Sequence, residues 1–209
     1  MRLTVFGPTG GTGAEIVRQA LDAGHQVTAV ARRPEAVAAS HAGLTVCPGD
    51  VLDPAWAGGG IAGADAVLSA LGARVGQPTT LYSRGTAAIL SAMAGSGVSR
   101  LVAVSAAPVS PASEKTLLDR YLAHPLLDRV FSASYADMRA MEEVLARSQA
   151  DWTVFRPPRL TNGPSGTYRT AVGRPLSRAF TISRASLATA MLAGITDQAL
   201  SRKAVAIAR

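Results

Sequence analysis

Cysteine, lysine, histidine and aromatic residues are all scarce in this chain, and each scarcity removes a class of structure or chemistry. Cys47 stands alone among 209 residues, which excludes an intrachain disulfide and a cysteine-based metal cluster within one chain. At the end of a short apolar run it reads as a small core residue. The three histidines, His25, His41 and His124, lie far apart beside turn or proline residues, so no metal is expected. Only Lys115 and Lys203 are lysines, and the net charge of +7 rests on arginines scattered from Arg2 to Arg209. They form no basic block and no aromatic interleaving, so no nucleic-acid partner is expected. No apolar run is long enough to span a bilayer, and the N-terminus enters a strand without a basic segment or cleavage site. The sequence therefore reads as a soluble, cytoplasmic protein with no membrane partner.

What is present is globular. With 48% hydrophobic and 17% charged residues and no linker, residues 1–209 read as one domain. Strands and helices alternate, which predicts an α/β fold with a doubly wound, mostly parallel sheet covered on both faces. Strands are expected at Leu3–Phe6, Gln26–Ala31, Leu44–Cys47, Ala64–Ala70, Arg100–Ser105, Trp152–Phe155, Ala179–Ile182 and Ala204–Ile207. Helices are expected at Ala14–Ala23, Pro34–Ser40, Thr79–Gly95, Ser134–Ser148 and Arg184–Ile195. Two insertions, Pro108–Ser132 and Thr161–Arg178, leave the sheet at its carboxyl edge and are candidate pocket walls. Thr116–Phe131 also reads as a packing helix with Leu117, Leu118, Leu122, Leu126 and Leu127 on its apolar stripe.

The first strand runs into Gly7-Pro8-Thr9-Gly10-Gly11-Thr12-Gly13, and a helix follows at once. Strand, G-x-x-G-x-x-G turn and helix, in that order, point to a dinucleotide. Glycine lets the chain turn tightly and lets its backbone approach a pyrophosphate, while the helix N-terminus offers free N–H groups to the phosphates. The second strand ends in Val30-Ala31-Arg32-Arg33, and no carboxylate occurs before Glu35. A carboxylate would bind ribose hydroxyls and repel a phosphate, whereas arginine binds phosphate bidentately, so NADP(H) is favoured over NAD(H). Arg32 is the chief candidate; Arg33 either joins it or faces solvent. In Gly49-Asp50-Val51, the Asp50 carboxylate can accept from the adenine amino group with Val51 against the ring, or Asp50 can cap the turn at Asp53–Ala57. Leu71-Gly72-Ala73-Arg74 follows the fourth strand, beside the bridge of the cofactor.

These segments, with Ala64-Asp65-Ala66-Val67, Gly97-Val98-Ser99-Arg100-Leu101-Val102 and Asp151-Trp152-Thr153-Val154-Phe155-Arg156-Pro157-Pro158, resemble the atypical short-chain dehydrogenase/reductase families with an NAD(P)-binding domain. The likeness covers nearly the whole chain and is nearest to the flavin reductase and biliverdin-IXβ reductase group, with NmrA-like relatives. The resemblance implies that Gly7, Thr9, Gly10, Thr12 and Gly13, with Gly11 between them, hold the pyrophosphate. It implies phosphate contacts from Arg32 and Arg74, adenine contacts from Asp50 and Val51, and a nicotinamide site at Leu71, Gly72, Ser105 and Pro157. Substrate in such proteins stacks on the nicotinamide and receives hydride directly.

This chain departs from the flavin reductase group in three places. Ala106 stands where that group has a serine, Arg159 where it has a histidine after the double proline, and Met138 where it has a helical histidine. Ser105, Tyr135 and Arg159 remain as candidates to meet the substrate. The Tyr-x-x-x-Lys pair of carbonyl reductases is absent, since Pro111 precedes Lys115 by four residues and Ala199 precedes Lys203 by four. Tyr135 and Arg139 share that spacing, but arginine cannot exchange a proton. A flavin or quinone delocalises the incoming electron pair and takes its proton from water, so a conjugated acceptor is expected. The alternatives are an NADP(H)-binding redox sensor of NmrA-like type and an epimerase or dehydratase with tightly held cofactor.

Overall fold

The computed structural model describes residues 1–56, 58–74, 76–111, 125–174 and 176–209. Eight strands form one sheet, which the elements enter in the order β1 (Arg2–Phe6), β2 (Gln26–Ala31), β3 (Leu44–Pro48), β4 (Ala66–Ser69), β5 (Arg100–Val104), β6 (Asp151–Arg156), β8 (Arg169–Val172) and β10 (Lys203–Ala208). Their spatial order is β3-β2-β1-β4-β5-β6-β10-β8, and every pairing is parallel except β10 with β8. This is a Rossmann-type α/β fold whose strand order reverses between β1 and β4.

Alternation along each buried strand sends side chains to two cores. Leu3 and Val5 of β1, Val102 of β5 and Phe155 of β6 face α1 (Gly11–Asp22) and α4 (Arg184–Ala193) through Ile16, Val17, Leu187 and Met191. Phe6, Val67, Leu101 and Val154 point the other way, toward Ile89 and Met93 of α2 (Leu81–Gly95) and Met141 and Leu145 of α3 (Pro125–Arg147). Covering both faces in this way is what a parallel sheet requires.

Polar anchors fix the α2–α3 face. Asp137 of α3, only 7% exposed, accepts the Tyr82 N–H at 2.8 Å, the Ser83 N–H at 3.3 Å and the Ser83 hydroxyl. A carboxylate from one helix thus caps the N-terminus of another, where its charge also suits the macrodipole. At the opposite end of the sheet, buried Arg100 donates to the carbonyls of Asp151, Gly194 and Ile195 and to Thr153 Oγ1. Burial lowers its pKa from the ordinary arginine value, opposed by the charges of Asp151 and Asp197.

Several expected boundaries are corrected. The helix expected at Pro34–Ser40 is a single 3-10 turn, Pro34–Ala36; of the residues after it Val37 packs against the core and 38–40 are exposed, too little burial to hold a helix. The helix expected from Ser134 begins at Pro125 and runs unbroken to Arg147, since Ser132 and Ala133 are compatible with helix. Of the packing helix expected at Thr116–Phe131, residues 116–124 lie outside the described residues, and the rest is the first part of α3. The expected strand at Ala179–Ile182 is β9 (Thr181–Ser183), which pairs with the unexpected β7 (Arg159–Thr161) in a separate two-stranded sheet. The expected loop at Thr161–Arg178 contains β8, an edge strand in which only Ala171 is buried.

Replacing Asp137 by Ala strands two backbone donors and a hydroxyl, and is expected to cost about 2 kcal/mol. Arg139→Ala, at an exposed position on the same helix, is expected to cost less than about 0.5 kcal/mol. Urea midpoints of the two variants, at unchanged slope, check this.

Candidate functional site

The crevice opens where β1 and β4 lie side by side and their following segments part. Gly7 has φ +74°, and a Cβ there would overlap the Ala70 carbonyl, so the turn after β1 rests on the backbone of the segment after β4. A Cβ on Gly13 would overlap the Gly7 carbonyl, which brings the first turn of α1 directly against the end of β1. Gly10 donates its N–H to the Gly7 carbonyl at 3.1 Å and is the N-cap of α1. No side chain caps that helix and no acid lies in its first turn, so the N-cap residue supplies no side-chain acceptor to its leading N–H groups. Thr9, Gly10 and Gly11 are exposed, while Thr12 and Gly13 are buried.

The adjoining segments converge on the same crevice. A Cβ on Gly85 of α2 would lie 2.9 Å from Val51 Cγ2 and 3.1 Å from Leu71 Cδ1, so Val51 and Leu71 meet against this helix. Gly72 has open space around it. Asp50 is not the cap of the turn that starts at Asp53, where Asp53 Oδ1 itself accepts the Ala55 N–H at 2.9 Å; Asp50 Oδ1 accepts the Leu52 N–H at 3.0 Å, in a turn whose backbone bond joins Asp53 to Asp50. Farther along the sheet, the Ser105 N–H donates to the Phe155 carbonyl at 2.8 Å, and Ala107 N–H to the Pro157 carbonyl at 2.8 Å. Ser105 is 3% exposed and its hydroxyl has no hydrogen-bond partner among the described residues, an arrangement that costs about 1–3 kcal/mol.

Charged candidates stand around the rim. Arg32 and Arg33 at the end of β2, Arg74 after β4 and Arg159 on β7 are all exposed. None forms an ion pair among the described residues. Tyr135 is half-buried on α3, stacked on Phe131 with ring centroids 5.7 Å apart, and Arg139 beside it is exposed. No group of acids, histidines or cysteines among the described residues is placed to hold a metal ion.

Four contributors were not foreseen from sequence. Tyr82 accepts the Ala73 N–H at 3.1 Å and so ties the 71–74 segment to α2; burial raises its pKa above the ordinary tyrosine value, against the Ala73 bond. Gly85 makes room for Val51 and Leu71. Glu142 holds Arg156, just before Pro157, through Oε1 to Nε at 3.1 Å and Oε2 to Nη2 at 2.5 Å. Arg184, from α4, lies against Gly11. Apolar periodicity marks helix faces, but it carries no signal for a polar partner supplied by a distant segment.

The sequence profile of a family described as NAD(P)H-binding matches residues 7–198. The photosystem II assembly factor Ycf39 of Synechocystis is 28% identical over 172 residues, which are 80% of this chain and 48% of that protein. The chain thus spans about half the length of this curated relative. A Burkholderia pseudomallei protein inferred to be exported superposes with a TM-score of 0.82 at 28% identity, with all of both chains covered. A Streptococcus pneumoniae protein for which NADH-flavin reductase activity is inferred superposes with a TM-score of 0.82 at 21% identity, covering 100% of this chain and 99% of that one. This last likeness is one of fold.

The two ends of the glycine turn are expected to differ in tolerance. Gly13→Ala forces apart backbone that has no slack and should lower the melting temperature by several degrees, as roughly 2 kcal/mol of strain would. Gly10→Ala, whose added Cβ would meet its nearest neighbour at 3.5 Å, should melt close to the unaltered chain. Calorimetry on the two variants separates them.

Proposed function

The chain belongs to the NAD(P)H-binding family, and from that premise we propose that it is an NADPH-dependent oxidoreductase passing hydride to a conjugated acceptor such as a flavin or quinone. The observation that carries this is the uncapped start of α1 held in the β1/β4 crevice by Gly7 and Gly13. Open space at Gly72 and the unpartnered Ser105 hydroxyl fit the remainder of a dinucleotide along the carboxyl ends of the strands.

Gly7, Thr9, Gly10, Gly11, Thr12 and Gly13 are assigned to the pyrophosphate, where backbone N–H groups and the helix dipole oppose its charge. Arg32, joined by Arg33, is assigned to the 2′-phosphate, and Arg74 to a second phosphate contact. Arg32 and Arg33, just after β2, are exposed and pair with no carboxylate among the described residues, which favours NADPH over NADH. Asp50 and Val51 are assigned to the adenine; Leu71, Gly72, Ser105 and Pro157 border the nicotinamide, and Tyr135 and Arg159 are candidates for the acceptor. When bound, NADPH supplies the hydride. The chain's own part is to orient the two partners and exclude competing geometries, since Tyr135 has Arg139 and not lysine four residues on. An acceptor whose ring delocalises the electron pair suits such a site. No described helix is long and apolar enough to cross a membrane, and a cytoplasmic location belongs to the same proposal.

A second reading has its own ground. Ycf39 is described as an assembly factor, and a chain that holds NADP(H) and signals through a protein partner needs no proton donor either.

Purified protein is to be mixed with NADPH and a panel of flavins and quinones, following loss of the reduced nicotinamide absorbance. Acceptor-dependent oxidation is expected. Tight NADPH binding with no acceptor accelerating oxidation would overturn hydride transfer in favour of the sensor. Arg32→Ala is expected to weaken NADPH about tenfold relative to NADH, as loss of a charge-assisted contact implies. An unchanged ratio would sink the 2′-phosphate assignment.

A further inference from the structure

Arg184 lies across the start of α1 although it comes from the far half of the chain. A Cβ built on Gly11 would sit 2.7 Å from Arg184 Cδ and 2.9 Å from its Nε, so the arginine fills the space that a side chain at residue 11 would take. Its Nη1 donates to Asn162 Oδ1 at 2.6 Å, which sets the direction of the guanidinium fork.

The charges here do not balance within the protein. Arg184 is the first residue of α4, where a cation meets the positive end of its own helix macrodipole. The helix is capped by neutral Ser183, which accepts the Ser186 N–H at 3.0 Å, and no acid lies in its first turn. Arg184 forms no ion pair among the described residues. The start of α1 is equally bare of acid. Glu15, the next acid along α1, is engaged by Arg18 at 2.8 Å and Gln19 at 3.1 Å. Two helix starts therefore meet through one guanidinium whose side-chain partner among the described residues is an amide oxygen, and each disfavours the other until an anion lies between them.

We propose that Arg184, oriented by Asn162, binds the cofactor pyrophosphate and closes over the glycine turn from the C-terminal half of the chain. This rests on the NADP(H) reading above. Arginine suits the task because its planar fork meets phosphate oxygens in pairs. Gly11 then has a role beyond backbone approach: it seats the arginine. The α1–α4 contact is reinforced by Gln19, which donates to the Ala185 carbonyl at 2.9 Å and accepts from the Thr189 hydroxyl at 2.8 Å. Arg184 is thereby carried on a helix start that is itself tied to the helix it covers.

The test is titration calorimetry of the full chain with NADPH and with adenosine 2′-phosphate, which has the 2′-phosphate and no pyrophosphate. Arg184→Ala is expected to weaken NADPH by about tenfold to a hundredfold and to leave adenosine 2′-phosphate unchanged, whereas Arg32→Ala weakens both. Arg184→Lys should recover part of the loss, and Asn162→Ala should lose less than Arg184→Ala. Gly11→Ala, whose methyl displaces the flexible arginine, should weaken NADPH, and Gly11→Ala/Arg184→Ala should be no weaker than either single variant. These two keep the test open should Arg184→Ala fold poorly. Undiminished NADPH affinity in Arg184→Ala, or equal losses for both ligands, overturns the proposal while leaving the NADP(H) reading standing. Failure of the unaltered chain to bind NADPH overturns that reading and this proposal with it.

Discussion

Gly7 stands where two segments leaving adjacent parallel strands touch backbone to backbone, a contact that is possible because residue 7 has no side chain. Phe6 pairs with Ser69 at the last register position of β1 and β4, and one residue later the Gly7 backbone rests on Ala70. Beyond that contact the chain diverges: α1 departs to one face of the sheet and α2 to the other. Topology therefore opens the groove, and the backbone contact fixes its floor. Gly13 adds the second constraint, setting the first turn of α1 directly against the Gly7 carbonyl.

Around this floor the polar groups divide into committed and uncommitted. Asp137 is engaged in capping α2, Tyr82 holds the Ala73 N–H, and Glu142 holds Arg156 in a pair whose side chains are 14% and 8% exposed. Breaking such a pair would leave a buried charge, at a cost of about 3–5 kcal/mol. These residues make the walls rigid and are occupied within the protein. Arg32, Arg33, Arg74 and Arg159 are the reverse, exposed and unpaired among the described residues. The Ser105 hydroxyl is buried yet unanswered. On the reading proposed above, the first set is scaffold and the second is left for the cofactor and acceptor.

How much of this was legible in the sequence depends on the physics of each element. Buried parallel strands announce themselves by continuous apolar runs, and β1 through β6 stand close to where the pattern puts them. The turn after β1 was legible because glycine spacing is a steric requirement that any side chain would violate. Strands β7 and β8 were not, since three or four residues at a rim bury too little to leave a periodic trace. The division of helix at Ser132–Ala133 was read from small residues that are helix-compatible once tertiary packing decides. Asp137 and Arg184 were invisible for a different reason: Asp137 meets Ser83, 54 positions away, and Arg184 meets Asn162, 22 positions away, and Gly11 at the other end of the chain, so nothing local distinguishes them from solvated charges.

The same separation bears on the chemistry. A reductase of simple carbonyls must deliver a proton as alkoxide forms, and the tyrosines near the crevice are poorly suited to it. Tyr82 is a weaker acid than an ordinary tyrosine because of its burial, and its oxygen already serves the Ala73 N–H. Tyr135 is stacked on Phe131, and the residue four positions on is Arg139, not the lysine of a carbonyl reductase pair. Under the hydride-transfer proposal the protein's contribution is then positional: anionic cofactor drawn to the start of α1, nicotinamide set beside Ser105 and Pro157, acceptor laid against it. Positioning suffices only where the acceptor can hold an electron pair until water protonates it, and this is the physical reason that the proposal names a flavin or quinone and not a ketone.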